Sequence, residues 1–540
     1  MSGALPGVPL VAFRADGSVR IGTGHVMRCL TLADALAQRG IACLFVARTI
    51  GEGLAERVER SGHRLLRLAG DGPAADGAPY GEWLGTSEAH DVRATAEALA
   101  GTSPLAIVVD HYALGEAWER ELQAAFGAPL LALDDLSRPH AAHVLVDPTF
   151  GKDDASYDGL LPEGARRLVG ASYALLRPDF ARLRAGSLAR RDLAFSQGEP
   201  ARDVLVSMGG ADEQDATGWV LEGLEPLARA RGLRLHALVG AAYPHGERLH
   251  SRAARLGGLL EIHHDVWDMA EFLSRMDLAV GAAGGSAWER CCLGLPTVNL
   301  VLADNQRTIA LMLSQAGAAK DGGAFEPAAD PAAWAARHVE PLLAAGALGP
   351  VSERARLVAD GHGVQRVLSA LLADGVRALP FALRKARMED AALLYEWQCD
   401  PRTRRYAVNP AVPAWEEHEA FMARKLADAA SSFYVATAGG IACGVVRLDR
   451  SGAEAPPLAA GMAWREVSIL TAPEFYGCGV ASRALTSLKA AHGGEAIVAR
   501  VLPGNEASRR LFAGAGFATY APDLLVWSDS RRPDAGNGSK

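Results

Sequence analysis

Nothing in the 540-residue sequence is long and apolar enough to span a bilayer: no run approaches the ~18 residues that a transmembrane helix needs. Met1 to Leu10 lack a charged opening and a long apolar stretch, so no secretory signal is expected and the reading is a soluble, cytoplasmic protein. No basic block extends beyond a few residues and the formal net charge is −8, which gives no electrostatic support for nucleic-acid binding. Cysteine is scarce. The seven residues Cys29, Cys43, Cys291, Cys292, Cys399, Cys443 and Cys478 form an odd set with no Cys-x-x-Cys, and they read as reduced thiols, mostly packed as small apolar side chains. No Cys/His cluster has zinc spacing; His263-His264 reads as a pair at a strand end, and no metal is expected. The dinucleotide fingerprint Gly-x-Gly-x-x-Gly is missing too, because Met27 holds its third glycine position.

What is present is an ordinary globular composition, 49% hydrophobic and 22% charged, in a chain long enough for three or four domains of ~150 residues. Its most informative stretch runs from Arg14 to Leu30. A strand-like run, Val8 to Phe13, leads into Arg14-Ala15-Asp16 and Ile21-Gly22-Thr23-Gly24-His25; a helical pattern follows through Leu30, Leu32, Ala33, Leu36 and Ala37 to Gly40. A strand, a glycine turn and a helix N-terminus make a cradle where backbone N–H groups and the helix dipole attract phosphate. Gly22 and Gly24 let a ligand approach the backbone. His25 is placed to handle a proton beside an anionic leaving group, or it only hydrogen-bonds its own turn. Asp16 binds a ligand hydroxyl or caps the turn. The spacing points to a nucleotide sugar rather than NAD.

Short apolar runs alternate with amphipathic segments over residues 8–175, the expected first domain. Strands are expected at Val8–Phe13, Ala42–Ala47, His63–Leu68, Ala106–Val109, Leu130–Leu133 and Val144–Val146, and helices at Val26–Arg39, Leu54–Arg60, Ala89–Ala100 and Ala117–Ala125. This alternation implies an α/β fold with a parallel sheet covered on both faces. Arg177–Gln197 reads as a charged helical connector. A second alternating block, 198–372, carries strands at Asp203–Ser207, Arg234–Val239, Leu278–Val280 and Thr297–Val301, then helices near Ala332–Leu343 and Ser352–Leu372. Two doubly wound halves place ligands at the carboxyl ends of their strands. Composition changes at Ala373–Pro380. An α+β domain is expected over 381–530, with a Gly/Pro/Ala-rich loop at Ser451–Gly461, followed by a disordered tail at 531–540.

Several local signals fall at strand ends. Asp110-His111-Tyr112 follows Ala106–Val109; Asp110 can be a simple cap, and Tyr112 can point its hydroxyl into the cleft. Asp134-Asp135 ends the next strand, but successive carboxylates diverge, which disfavours a metal. In the second half, Ser207-Met208-Gly209-Gly210 is a strand and a glycine turn suited to diphosphate. Gly284, Gly285 and Ser286 lie in a second such turn, and Glu289, one turn into the next helix, accepts from ribose hydroxyls or simply suits the helix dipole. Asp304-Asn305-Gln306 offers amides to a sugar, or is a plain loop.

Together these pieces, with Tyr173-Ala174-Leu175-Leu176-Arg177-Pro178, Ala211-Asp212 and Gly294-Leu295-Pro296, resemble the pseudaminic-acid pathway hydrolases that cleave UDP-2,4-diacetamido-2,4,6-trideoxy-β-L-altropyranose. That family is related to the two-Rossmann glycosyltransferases of the glycosyltransferase-B type. These ordered motifs carry the resemblance, over roughly residues 8–370. It implies that His25 is the general base for water and that Tyr112 and Asn305 position sugar or water. It further implies that Glu289 holds the uridine ribose and that Gly285 and Ser286 hold the diphosphate; Asp16, Gly22, Gly24, Gly209, Gly210, Gly284 and Gln306 complete the substrate-binding residues expected from the turns themselves. Water would displace UDP with inversion. General-base help contributes typically ~10²–10⁴-fold, and neutralising the departing diphosphate with backbone amides the larger part. No metal is needed, in keeping with the missing Asp-x-Asp motif.

Beyond residue 381 a second cradle appears. Val467-Ser468-Ile469-Leu470 leads into Glu474-Phe475-Tyr476-Gly477-Cys478-Gly479-Val480-Ala481, and Asn505 sits at a later helix start. This resembles the GCN5-related N-acetyltransferases, whose acetyl-CoA loop reads Gln/Arg-x-x-Gly-x-Gly/Ala; Tyr476 departs from the first position, while Gly479 and Ala481 fit. The resemblance implies acetyl-CoA as co-substrate, held by Gly477, Cys478, Gly479, Val480, Ala481 and Asn505. Many members place a tyrosine acid where this chain has Phe512. Trp397-Gln398-Cys399-Asp400-Pro401 through Arg404 resembles the branch acting on nucleotide amino sugars, and Glu466 is either a base through water or an edge-strand charge. In that pathway acetylation of a 4-amino group comes just before hydrolysis, so a bifunctional enzyme is expected. The alternatives are a UDP-sugar glycosyltransferase of the same fold and a C-terminal domain that binds coenzyme A without turnover. Nothing in the sequence specifies an oligomeric state.

Overall fold

The computed structural model describes residues 8–18, 21–69, 80–210, 212–240, 243–264, 266–450 and 463–528. The expected loop at Ser451–Gly461 and tail at 531–540 lie outside them, as do Val19, Arg20 and Ala211 of the quoted motifs. The chain divides into two compact units. Leu10–Ala35 with Cys43–Val367 forms one, and the other gathers Leu36–Ala42 with the residues from Leu368 onward.

The first unit holds two parallel sheets. One contains β1 (Leu10–Ala15), β2 (Ala42–Ala47), β3 (Arg64–Arg67), β4 (Ala106–Asp110), β5 (Leu130–Leu133), β6 (Val144–Asp147) and β7 (Arg166–Val169), ordered β3-β2-β1-β4-β5-β6-β7. The strands β4, β5 and β6 are buried along their whole length, as continuous apolar runs covered on both faces must be. The other contains β8 (Asp203–Ser207), β9 (Arg234–Val239), β10 (Leu260–His264), β11 (Leu278–Ala282), β12 (Thr297–Val301) and β13 (Lys320–Ala324), ordered β10-β9-β8-β11-β12-β13. Strand order reverses between β1 and β4 and again between β8 and β11, the places where doubly wound sheets open a ligand crevice. Register sets the crevice floor: Ala15 pairs with Asp110, and Ser207 with Gly281.

Several expectations are corrected here. β7 and β13 were not anticipated, because Arg166-Arg167 and Asp321-Gly322-Gly323 break the apolar pattern and the sheet neighbour supplies what propensity does not. The single helix expected over Ser352–Leu372 is two, Leu348–Ala355 and Gly363–Ala378, parted at Asp360-Gly361-His362. Arg177–Gln197 is no free connector. Its helix, Pro178–Ser196, packs on the second half, where buried Arg191 donates to the carbonyls of Leu293 (3.0 Å) and Met276 (2.6 Å).

The second unit carries β14 (Phe381–Lys385), β15 (Ser432–Ala438), β16 (Ile441–Asp449), β17 (Trp464–Thr471), β18 (Ala496–Arg500), β19 (Ala518–Ala521) and β20 (Leu524–Trp527), ordered β14-β15-β16-β17-β18-β20-β19. All pairings are antiparallel except β17 with β18. That parallel pairing runs only from Trp464 to Val467, although β17 continues to Thr471, so the two strands part beyond Val467. Among the described residues no helix is long and apolar enough to cross a membrane.

Candidate functional site

The end of β1 leads through Ser18, whose hydroxyl accepts from the Ile21 amide at 3.1 Å, into Gly22, whose φ of +83° suits glycine, and so into the helix Gly24–Gln38. That helix has no acidic residue in its first turn, which leaves its positive end unneutralised. His25 is its second residue and is 8% exposed. Its Nδ1 lies 2.6 Å from Asp110 Oδ1, at the end of the neighbouring strand β4. A carboxylate only accepts, so Nδ1 carries the proton and Nε2 keeps its lone pair. Arg28, one turn further along the helix, donates Nε to Asp110 Oδ2 (2.5 Å) and Nη2 to Oδ1 (2.6 Å). Burial alone would raise the Asp110 pKa, but Arg28 and His25 hold it well below the usual carboxylate range.

Tyr112 closes one side of this group. Its ring meets His25 edge-on at 4.7 Å and stacks on Trp83 at 5.6 Å. Its hydroxyl donates to Asp135 at 2.6 Å, and burial and that carboxylate push the phenol pKa up. Tyr112 is therefore neutral and oriented. Asp134 and Asp135 diverge: Asp134 takes Arg138 (2.8 Å) and Tyr157 (3.0 Å), while Asp135 takes Tyr112. Asp16 is fully buried and accepts from Arg14 (2.6 Å) and from the amides of Arg48 (2.7 Å) and Thr49 (3.2 Å). Arg14 also holds Asp91 at 2.8 Å. These contacts favour the turn-stabilising reading of Asp16 over ligand binding. Sequence alone reads Asp110 as a candidate cap and Asp135 as half of a diverging carboxylate pair, and it does not mark Arg28; neither their partnership with His25 nor that with Tyr112 is legible there. The signals available were the i, i+3 spacing of His25 and Arg28 and the position of Asp110 at a reversing strand.

In the second half, Gly209 and Gly210 follow β8, and Gly284, Gly285 and Ser286 follow β11, on adjacent strands of the sheet. Gly210 lies against the first half: a Cβ there would come 3.9 Å from Thr23 Oγ1. The two glycine turns thus meet. Ser286 Oγ accepts from buried Arg290 at 3.0 Å, and burial lowers the Arg290 pKa to about 10. Glu289 is half-buried; its burial raises its pKa against the opposing pull of Arg177 and Arg290. Asn305 is exposed in the short turn Asp304–Gln306, and Gln306 Oε1 accepts from the Leu302 amide at 3.0 Å, leaving its NH₂ group for other partners.

In the second unit, Gly479 has φ of +76° and caps the helix Val480–Ala491, whose first-turn amides have no partner within the helix. Gly477 and Gly479 are exposed, while Cys478 and Val480 are buried. Tyr476 holds Thr403 through its hydroxyl at 3.0 Å and lies under Arg402. Asn505 caps the helix Glu506–Gly514, accepting from the Ser508 amide at 3.1 Å. Phe512 is buried against Phe517, ring centroids 5.0 Å apart, and offers no proton. Glu466 is not on an edge strand as one reading had it; β17 lies between β16 and β18, and the carboxylate sits 3.7 Å from Arg500. None of the seven cysteines is joined in a disulfide, and all but Cys399 are buried.

Residues 381–518 match the acetyltransferase (GNAT) domain family. An uncharacterized protein of Methanocaldococcus jannaschii is 22% identical over 303 residues, 55% of this chain and 56% of that protein. The UDP-2,4-diacetamido-2,4,6-trideoxy-beta-L-altropyranose hydrolase of Campylobacter jejuni is 25% identical over 202 residues, 37% of this chain and 61% of that protein. The chain therefore spans little more than half the length of these curated relatives. Among solved structures, MurG of Acinetobacter baumannii superposes with a TM-score of 0.48 at 17% identity, covering 66% of this chain and 98% of that one. The N-terminal part of the chain is homologous to the Campylobacter hydrolase, and its C-terminal part carries a GNAT domain.

Proposed function

We propose that the first unit hydrolyses a UDP-linked diacetamido sugar, UDP-2,4-diacetamido-2,4,6-trideoxy-β-L-altropyranose, and that the second acetylates the 4-amino precursor with acetyl-CoA, as one bifunctional enzyme of pseudaminic acid biosynthesis. The observation that carries the reading is His25, held by Asp110 with Nε2 as its proton-accepting nitrogen, on a glycine turn at the end of a reversing strand. Water attacks the anomeric carbon and gives its proton to His25 Nε2. The bond from that carbon to the diphosphate oxygen breaks, and UDP leaves with the electron pair. Amides of Gly209, Gly210, Gly284, Gly285 and Ser286 hold the diphosphate, Glu289 the ribose, and Asn305 with the free NH₂ of Gln306 the sugar. In the second unit the exposed glycines Gly477 and Gly479 at the start of the helix Val480–Ala491, and the parting of β17 from β18, suit the pyrophosphate and pantetheine of acetyl-CoA. The acceptor amine attacks the thioester carbonyl, coenzyme A leaves as thiolate, and the amine proton passes to solvent.

Phosphorus and proton NMR of the purified chain with the UDP-linked 4-amino sugar tests both halves. With acetyl-CoA, UDP and a free diacetamido sugar are expected; without it, the starting material should persist. Accumulation of acetylated UDP-sugar, uncleaved, would refute the hydrolase assignment.

A further inference from the structure

On the second sheet, three side chains converge on one point. Parallel register pairs His236 of β9 with Glu261 of β10 and places His263 two residues on, on the same face. His236 Nδ1 lies 3.1 Å from His263 Nε2, and Glu261 Oε2 lies 3.7 Å and 3.8 Å from those nitrogens. His236 is buried, and its other nitrogen, Nε2, lies 2.9 Å from Asp203 Oδ1 on β8. Asp203 is itself held by Arg234 at 2.6 Å. Because Asp203 only accepts, Nε2 of His236 carries the proton, and its Nδ1 lone pair faces His263 and Glu261. The ring of Phe272 covers His263, centroids 4.7 Å apart.

We propose that His236, His263 and Glu261 bind a divalent transition-metal ion of the zinc class, with Asp203 as the positioning residue for His236. Ligand atoms about 2.0–2.1 Å from a tetrahedral zinc lie roughly 3.3–3.4 Å from one another, so the observed separations need shifts of only a few tenths of an ångström. An imidazole oriented by a carboxylate through its second nitrogen is the arrangement that fixes the tautomer of zinc-binding histidines. Two imidazoles and one carboxylate are a nitrogen-rich donor set that favours zinc over calcium or magnesium. The fourth position would be open to water. The ion would tie the edge strand β10 to β9 and uses no residue of the catalytic turn.

Equilibrium dialysis of the full chain against Zn²⁺ alone, with bound metal counted by atomic emission, tests this. One ion per chain is expected at micromolar free zinc. His263→Ala should weaken binding at least ~100-fold and Asp203→Asn by about 10–100-fold. Glu261 is exposed, so Glu261→Gln leaves the core intact; it should weaken binding ~10-fold even if His263→Ala does not fold. No bound zinc, or zinc retained undiminished in Glu261→Gln and His263→Ala, overturns the assignment.

Discussion

Replacing Asp110 by asparagine removes one charge from a buried group of three. Oδ1 of Asp110 accepts from both His25 and Arg28, and Oδ2 accepts from Arg28. An amide has one accepting oxygen, so either orientation sets its NH₂ against a donor of Arg28; one of the two also turns the His25 proton onto Nε2 and disables the base. Charge matters as much as geometry. At an effective dielectric constant of 20, unit charges 4 Å apart interact by ~4 kcal/mol. In the native site the Asp110 carboxylate and the Arg28 guanidinium, whose Nη2 is 3.3 Å from His25 Nδ1, largely cancel at the imidazole. In Asp110→Asn the guanidinium stays without its counter-charge and opposes the positive charge that His25 takes on in the transition state of the proposed hydrolysis. A penalty of ~3–4 kcal/mol corresponds to about 10²–10³-fold in kcat. UDP release followed by phosphorus NMR, with the affinity for UDP measured by calorimetry, separates the effects: kcat should fall while UDP binding stays within about twofold. The double variant His25→Gln/Asp110→Asn should be no slower than His25→Gln alone, because the two act as one unit. A kcat loss under ~3-fold in Asp110→Asn, or full additivity in the double variant, would refute the reasoning.

His140 lies 2.6 Å from Glu119 and 3.5 Å from Asp134; burial opposes its charge, but the two carboxylates outweigh it and raise the pKa to about 9. Its stabilisation, roughly 3 kcal/mol, is present below pH ~6.5 and is lost as pH rises through about 9. Urea unfolding at a series of pH values should show that decline, and His140→Gln should flatten it. Gly240 follows β9, and a Cβ there would sit 2.4 Å from the Gly210 carbonyl oxygen. Gly240→Ala should displace the Gly209-Gly210 turn and weaken UDP binding by about tenfold or more in calorimetry. Gly479→Ala meets open space but a strained φ of +76°, at a cost of about 1–2 kcal/mol; the melting temperature should fall slightly and acetyl-CoA binding, by the same titration method, should weaken.

Much of this fold can be read from local pattern. Continuous apolar runs such as Ala106–Val109 and Leu130–Leu133 must be buried on both faces, and their alternation with amphipathic helices leaves a doubly wound sheet as the economical solution. The glycine turns at Gly22, Gly209 and Gly479 were visible for the same reason: each marks a positive φ at the end of a strand or the start of a helix. Strands without that pattern were not visible. Lys320–Ala324 pairs only because Val298 and Asn299 lie beside it, and the Asp360-Gly361-His362 break is hidden inside an otherwise helical stretch.

The site divides in the same way. By itself the sequence determined that His25 opens a helix after a glycine turn, because three or four adjacent residues decide that geometry. Tertiary structure alone decided what His25 can do. Asp110 is 85 residues away and is set beside His25 by the pairing of β1 with β4, while Asp91, 77 residues from Arg14, meets it from the helix Glu88–Ala98. The same holds for His236, Glu261 and His263, which lie on two strands and meet through parallel register. A hydrogen bond or ion pair depends on separations of a few tenths of an ångström between groups far apart in the chain. Local propensity carries no information on those separations, and they exist only once the sheets have formed.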